Sequence, residues 1–193
     1  MSSSATTKTP RWRGPSPMFL IPLGIGAAMA FSLIFGVSYL TRPVTGSTTT
    51  MPSALVGQTA RLSTLPDLSG ASVTLPYKKG TPTILVFFAS WCAPCKAELP
   101  RVARFSSSGN LHGVEVVGIA SNDSSVSTAR DFARTANFTA PVLFDADGTA
   151  SSSDFNIVGL PDTIAIDADG IIRQVVVGPV TTAELSAMVS LIK

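Results

Sequence analysis

The chain has 193 residues, 14 Lys and Arg against 12 Asp and Glu, and a formal charge of +2. That length suits one domain plus terminal extras, and the absence of a basic cluster excludes a nucleic-acid-binding face. Two cysteines in all exclude a disulfide framework, and about 140 globular residues bury an adequate core without one, so the pair reads as functional.

The charge is uneven. Residues 1–50 hold Lys8, Arg11, Arg13 and Arg42 and no acid, so the remainder nets −2. Residues 1–17 read as a disordered cytoplasmic tail. Residues 18–40, MFLIPLGIGAAMAFSLIFGVSYL, carry no charge and are long enough to cross the roughly 30 Å hydrocarbon layer as a helix. The cations that precede them put the N-terminus in the cytoplasm and everything beyond the span outside. A cleaved signal peptide has a shorter apolar region and a small-residue cleavage site. No clean site of that kind precedes Arg42, so the expectation is an uncleaved signal anchor in the cell membrane. Residues 41–58, rich in Ser, Thr, Gly and Pro, read as a linker, and residues 59–193 as the folded domain.

Within that domain, residues 66–70 (PDLSG) predict a turn and Ala71–Leu75 a short strand. Residues 77–82 predict a second turn. Thr83–Ala89, a β-branched and aromatic run bounded by turn and helix signals, predicts a strand covered on both faces. Pro94 to about Ser106 predicts a helix with Leu99, Val102 and Phe105 on its apolar face. Val114–Ala120 reads as a buried strand, Ser124–Ala136 as a helix, and Pro141–Phe144 as a strand ending in the turn Asp145–Gly148. Ser151–Ile157 is weakly patterned and reads as a short helix. Asp162–Asp167 and Ile171–Gly178, joined by Ala168-Asp169-Gly170, predict an antiparallel hairpin. A last helix starts at Thr181 and buries Leu185, Met188, Val189 and Ile192. Strands alternating with helices and closing on a hairpin predict a mixed α/β sandwich.

Both cysteines lie in one stretch, FFASWCAPCKAELP, residues 87–100. The strand before it ends near Ala89 and the helix begins near Cys92. That places Cys92 at a helix N-terminus, where unpaired N–H groups and the helix dipole favour an anion and lower a thiol pKa. Lys96 adds a positive charge one turn on. Cys95 follows three residues later, with Cβ atoms about 5–6 Å apart on a regular helix; first-turn geometry can close this to the ~3.5–4.5 Å a disulfide needs. Pro94 fits the first turn, where its missing N–H costs little. This arrangement suits thiol–disulfide exchange, with Cys92 attacking a partner disulfide and Cys95, on the interior side, resolving the intermediate. A zinc site would need more ligands than two cysteines and the single His112 provide, and no cofactor or metal is expected. Trp91 shields the sulfurs or simply packs on the sheet. Glu98, on the Cys95 side of the helix, takes the Cys95 proton if burial raises its pKa, or else is a solvated glutamate beside Arg101.

The stretches LPDLSGASVTLPYKKGTPTILVFFASWCAPCKAELP and VGLPDTIAIDADGIIRQVVVG resemble the thioredoxin superfamily, and within it the membrane-tethered TlpA/ResA/CcmG group of bacterial thiol–disulfide oxidoreductases. The resemblance covers about residues 56–193. It implies a thioredoxin-like fold with an N-terminal β extension and an insert. It also implies a cis Pro161 that lies with Leu160 against Cys92, where the Leu160 backbone pairs with substrate, and a catalytic role for Glu98. The implied activity is reduction of protein disulfides outside the cytoplasmic membrane, often in apocytochrome c before haem attachment. The implied partner is an integral-membrane electron donor of the CcdA/DsbD type. The sequence departs from the group at Phe88, where tryptophan is frequent, and at Val86, where cytoplasmic thioredoxin has a buried aspartate. A disulfide-forming oxidase would use the same residues. A peroxiredoxin-type peroxidase would need threonine at Ala89, and a copper-delivery protein a ligating histidine later than His112.

Overall fold

The computed structural model describes residues 53–75, 78 and 80–193. The expected tail, the apolar span 18–40 and most of the linker lie outside them. Among the described residues no helix is long and apolar enough to cross a membrane.

The sheet is built around β3 (Thr83–Phe88), whose six side chains are all buried, as its unbroken apolar run demands. On one side β4 (Glu115–Ser121) and then β5 (Val142–Asp145) run parallel to it. On the other side β6 (Asp162–Ile166) runs antiparallel, followed by antiparallel β7 (Ile172–Val177). The order is β5-β4-β3-β6-β7. The three α-helices among the described residues are α1 (Ala93–Ser106), α2 (Val126–Thr135) and α3 (Thr182–Ile192).

The two parallel crossovers, β3–α1–β4 and β4–α2–β5, step the same way across the sheet. Right-handed crossovers therefore put α1 and α2 on one face. The packing agrees: Ile84, Val86 and Phe88 meet Leu99 and Val102 of α1, Ala129 and Ala133 of α2, and Leu185 and Met188 of α3. The other face of the sheet, Leu85, Phe87, Val117 and Ile119, packs on Leu75, Phe155, Leu65 and Val73. This is a thioredoxin-like α/β fold with a mixed central sheet.

Three segments differ from expectation. Residues 63–75 form a hairpin rather than a turn and one strand: β1 (Ser63–Pro66) pairs antiparallel with β2 (Ser72–Leu75). Its turn is tied by the Asp67 carboxylate, which accepts from the N–H groups of Ser69 and Ala71 at 2.7 and 3.0 Å, with Gly70 at φ 94°. Pro66 is tolerated because the strand is at an edge. Second, the weak helix expected over Ser151–Ile157 is a single π-helical turn, Ala150–Asp154. Buried Asp145 sets it, accepting from Ser151 N at 2.8 Å and Ser151 Oγ at 2.6 Å. Third, the strands flanking Asp169 are shorter by a residue or two at their ends.

Gly118 of β4 sits under an aromatic cluster. A Cβ there would stand 2.8 Å from Phe88 Cε1 and 3.0 Å from Phe138 Cε1. Phe88 also contacts Phe132, with ring centroids 5.7 Å apart, so no ring can retreat freely. Gly118→Ala is expected to cost about 1–3 kcal/mol. Urea unfolding should show a lower midpoint at unchanged slope; an unchanged midpoint would mean the cluster is loose.

Candidate active site

The carboxyl ends of β3, β4 and β5 and the amino end of antiparallel β6 lie at the same edge of the sheet. The loops that leave them converge there, and both cysteines lie among them.

Beyond β3, residues Ala89-Ser90-Trp91 lead into Cys92, which is the N-cap of α1 with φ −75° and ψ 110°. An N-cap side chain accepts from the N–H of the second or third helical residue. The second is Pro94, which has none. The third is Cys95, whose N–H donates to Cys92 Sγ at 3.2 Å. Sulfur thus occupies the place where helices ordinarily carry a serine or aspartate oxygen. No acidic residue lies in the first turn to oppose a negative sulfur. Cys92 and Cys95 form a disulfide, with S–S 2.02 Å and Cα–Cα 5.3 Å. Lys96 points outward and is exposed.

Both cysteines are buried, Cys92 at 4% and Cys95 at 1% exposure. The difference has the expected sense but is small. Position at the helix terminus, rather than accessibility, distinguishes the two sulfurs.

The loop that carries Cys92 is held from β4. Trp91 is 60% exposed, yet its indole N–H donates to Asn122 O at 2.9 Å. Asp123, buried, accepts from Ser90 N at 2.9 Å and from Ser90 Oγ at 2.6 Å. Nothing in the local sequence pattern connects Asp123 with Ser90, 33 residues earlier, and sequence reasoning missed it.

The Leu160–Pro161 peptide bond is cis. Pro161 is buried and Leu160 half-buried. Because β6 starts at Asp162 and pairs with Phe87 at its amino end, the Leu160–Pro161 bend lies at the sheet edge where Cys92 emerges. Among the described residues, no hydrogen bond engages the backbone of Val158, Gly159 or Leu160.

Glu98 lies on the buried side of α1 at 1% exposure, so the solvated alternative does not hold. Its Oε1 accepts from Thr163 Oγ1 at 3.4 Å, and its Oε2 has no partner among the described residues. Loss of solvent pushes its pKa up to about 7. The backbone at Val180, the Thr163 hydroxyl and the Arg101 charge pull back, while nearby Asp162 pushes further up. Arg101 itself donates to Val180 O at 2.8 Å. Asp162, which directly follows Pro161, is a further buried carboxylate; loss of solvent raises its pKa to about 6, against the Gly178 N–H that donates to it at 3.1 Å. Its place directly after Pro161 in the G-L-P-D-T run is the sequence signal that points to it. His112 is exposed, at φ 48°, in the turn before β4. Among the described residues no three His, Cys, Asp or Glu side chains gather as a metal site would need.

The AhpC/TSA family model matches residues 56–175. The thioredoxin-like protein YneN of Bacillus subtilis is 32% identical over 136 residues, covering 70% of this chain and 79% of that one. The thiol:disulfide interchange protein DsbE of Allochromatium vinosum is 35% identical over 166 residues, covering 83% and 84%. Among solved structures, StoA of Bacillus subtilis superposes with a TM-score of 0.58 at 25% identity, covering 67% of this chain and 96% of its own. With a reactive-type cysteine pair at a helix N-terminus and relatives of this kind, the chain belongs to the AhpC/TSA family and is one of its thioredoxin-like thiol–disulfide oxidoreductases.

Proposed function

We propose that the chain is a membrane-anchored, extracytoplasmic reductase of protein disulfides. The observation that carries this reading is the Cys92 sulfur at the N-cap of α1. In the reduced protein the Cys95 N–H and the helix dipole would hold a thiolate there. Cys92 attacks a substrate disulfide, forms a mixed disulfide and releases one substrate thiolate. Glu98 takes the Cys95 proton; the Cys95 sulfur attacks Cys92 Sγ and releases the second substrate thiolate. The electron pair comes from the protein dithiol, which ends as the Cys92–Cys95 disulfide. The free backbone at Leu160, beside cis Pro161, is available to pair with an extended substrate as an added strand. Trp91, Pro94 and Lys96 shape and charge the approach to Cys92.

Residues 18–40 tether the domain, and the cation excess before them sets the orientation. The surroundings outside the membrane are oxidising, so the disulfide is returned to the dithiol by an integral-membrane donor. Apocytochrome c awaiting haem attachment is the substrate that the resemblance to the TlpA/ResA/CcmG group brings forward.

The direction of exchange is tested by equilibrating the Cys92/Cys95 couple with glutathione. A potential well below about −200 mV is expected for a reductase; one near about −120 mV would make it an oxidase.

A further inference from the structure

Trp91, the residue before Cys92, lines a groove of about 290 Å³ together with Ile157, Val158, Leu160 and Asp147. Its apolar wall is unusually open. Val158 is 87% exposed and Trp91 60%, and Ile157 and Leu160 are half-buried behind them. Exposed aliphatic and aromatic groups gathered around one polar cleft mark an interaction surface.

The charge is as one-sided as the apolar wall. Asp147 is exposed, and its carboxylate accepts from Thr149 N at 3.0 Å. That bond holds it below the usual carboxylate range, so it is an anion at neutral pH. Among the described residues no Lys or Arg pairs with Asp147, and none lines the groove.

The free backbone of Val158, Gly159 and Leu160 lies along the same cleft. An extended segment that follows it turns alternate side chains, about 6.6 Å apart, to the same face, so a residue placed beside Val158 and Trp91 is followed on that face, two positions on, by one that can turn towards Asp147.

We infer that this groove receives the substrate segment flanking the cysteine under attack, and that it selects a segment with an apolar residue close to that cysteine and a cationic residue two positions beyond the apolar one. The inference rests on the reductase reading above and adds a substrate class to it. Val158 and Asp147 are then specificity-determining residues, contacting the segment rather than the reacting sulfurs.

The test uses the full-length chain in detergent, reduced and freed of reductant. It is mixed in single turnover with short peptide disulfides that differ only in the residues following the cysteine: Leu-Ser-Lys, Leu-Ser-Glu and Ser-Ser-Lys. Each protein dithiol reduces one peptide disulfide, so no further reductant enters. The Leu-Ser-Lys peptide is expected to react about threefold faster than the Leu-Ser-Glu peptide, the size of an exposed charge contact. That ratio should fall towards one in about 1 M salt. Asp147→Lys should invert the Lys-to-Glu ratio, and Val158→Ser should erase the Leu-to-Ser ratio. Each ratio is internal to one protein, so partial misfolding of a variant cancels. Equal rates with all peptides, or ratios unaltered by the two substitutions, overturn the groove while leaving the reductase reading intact. Failure to reduce even hydroxyethyl disulfide overturns that reading, and the groove with it.

Discussion

Cys95→Ala is expected to stop turnover and leave substrate proteins covalently joined to Cys92. In the proposed mechanism resolution is an intramolecular attack across one helical turn, and such attacks gain effective molarities of about 10⁵ M or more when well aligned. Without Cys95 the mixed disulfide waits for an external thiol, so its decay slows by at least about a thousandfold. Non-reducing gels followed by mass spectrometry read the trapped partners. A predominance of apocytochrome c would assign the domain to haem-protein maturation; a broad set of secreted proteins would assign it to general disulfide handling. The companion variant Cys92→Ser should trap nothing. If it traps partners and Cys95→Ala does not, the sulfur roles are reversed.

Glu98→Gln is expected to separate activity from stability. In the proposed mechanism Glu98 is the base for Cys95; general bases contribute about 10²–10⁴-fold, and the variant should lose a factor in that range. The wild-type rate should rise with pH as Glu98 ionises through about 7, and the variant should lack that inflection. Stability moves the opposite way. The folded-state pKa lies above the ordinary glutamate value of 4.5, so between those pH values the folded protein binds more protons than the unfolded chain. Stability therefore falls as pH rises through that window. Asp162, raised from 3.8 to about 6, acts in the same direction at lower pH. A neutral amide at position 98 removes the larger part of this cost, and the variant should be more stable than wild type by about 1–3 kcal/mol above pH 7. Urea titrations at pH 5 and pH 8 check the sign. A variant that keeps full activity, or one that is destabilised at pH 8, would show that Glu98 is held there for packing.

The features legible in the sequence are those encoded within a few residues. Cys92, Pro94 and Cys95 announce a helix start and its capping pattern in four positions, and the burial of Thr83–Phe88 follows from an unbroken apolar run. The hairpin at Asp169 is equally local. The features that escaped depend on residues far apart in the chain. Asp123 matters because it reaches Ser90 across two strand ends. The burial of Glu98, left open by the helical pattern, is decided by Thr163 and Val180 on other elements. The π-helical turn at residues 150–154 comes from the Asp145 carboxylate, not from any periodicity in three consecutive serines. The strand Ser63–Pro66 was hidden by its proline, which only an edge position tolerates.

With so narrow a gap in burial between the two cysteines, the proposal that Cys92 is the attacking group rests on its place at the helix terminus. Alkylation of the fully reduced chain by iodoacetamide, followed residue by residue across pH, measures this directly. Cys92 is expected to be modified first, at a pH where a free cysteine is still largely protonated, while Cys95 lags. Equal modification of the two, with the pH dependence of an ordinary thiol, would contradict it.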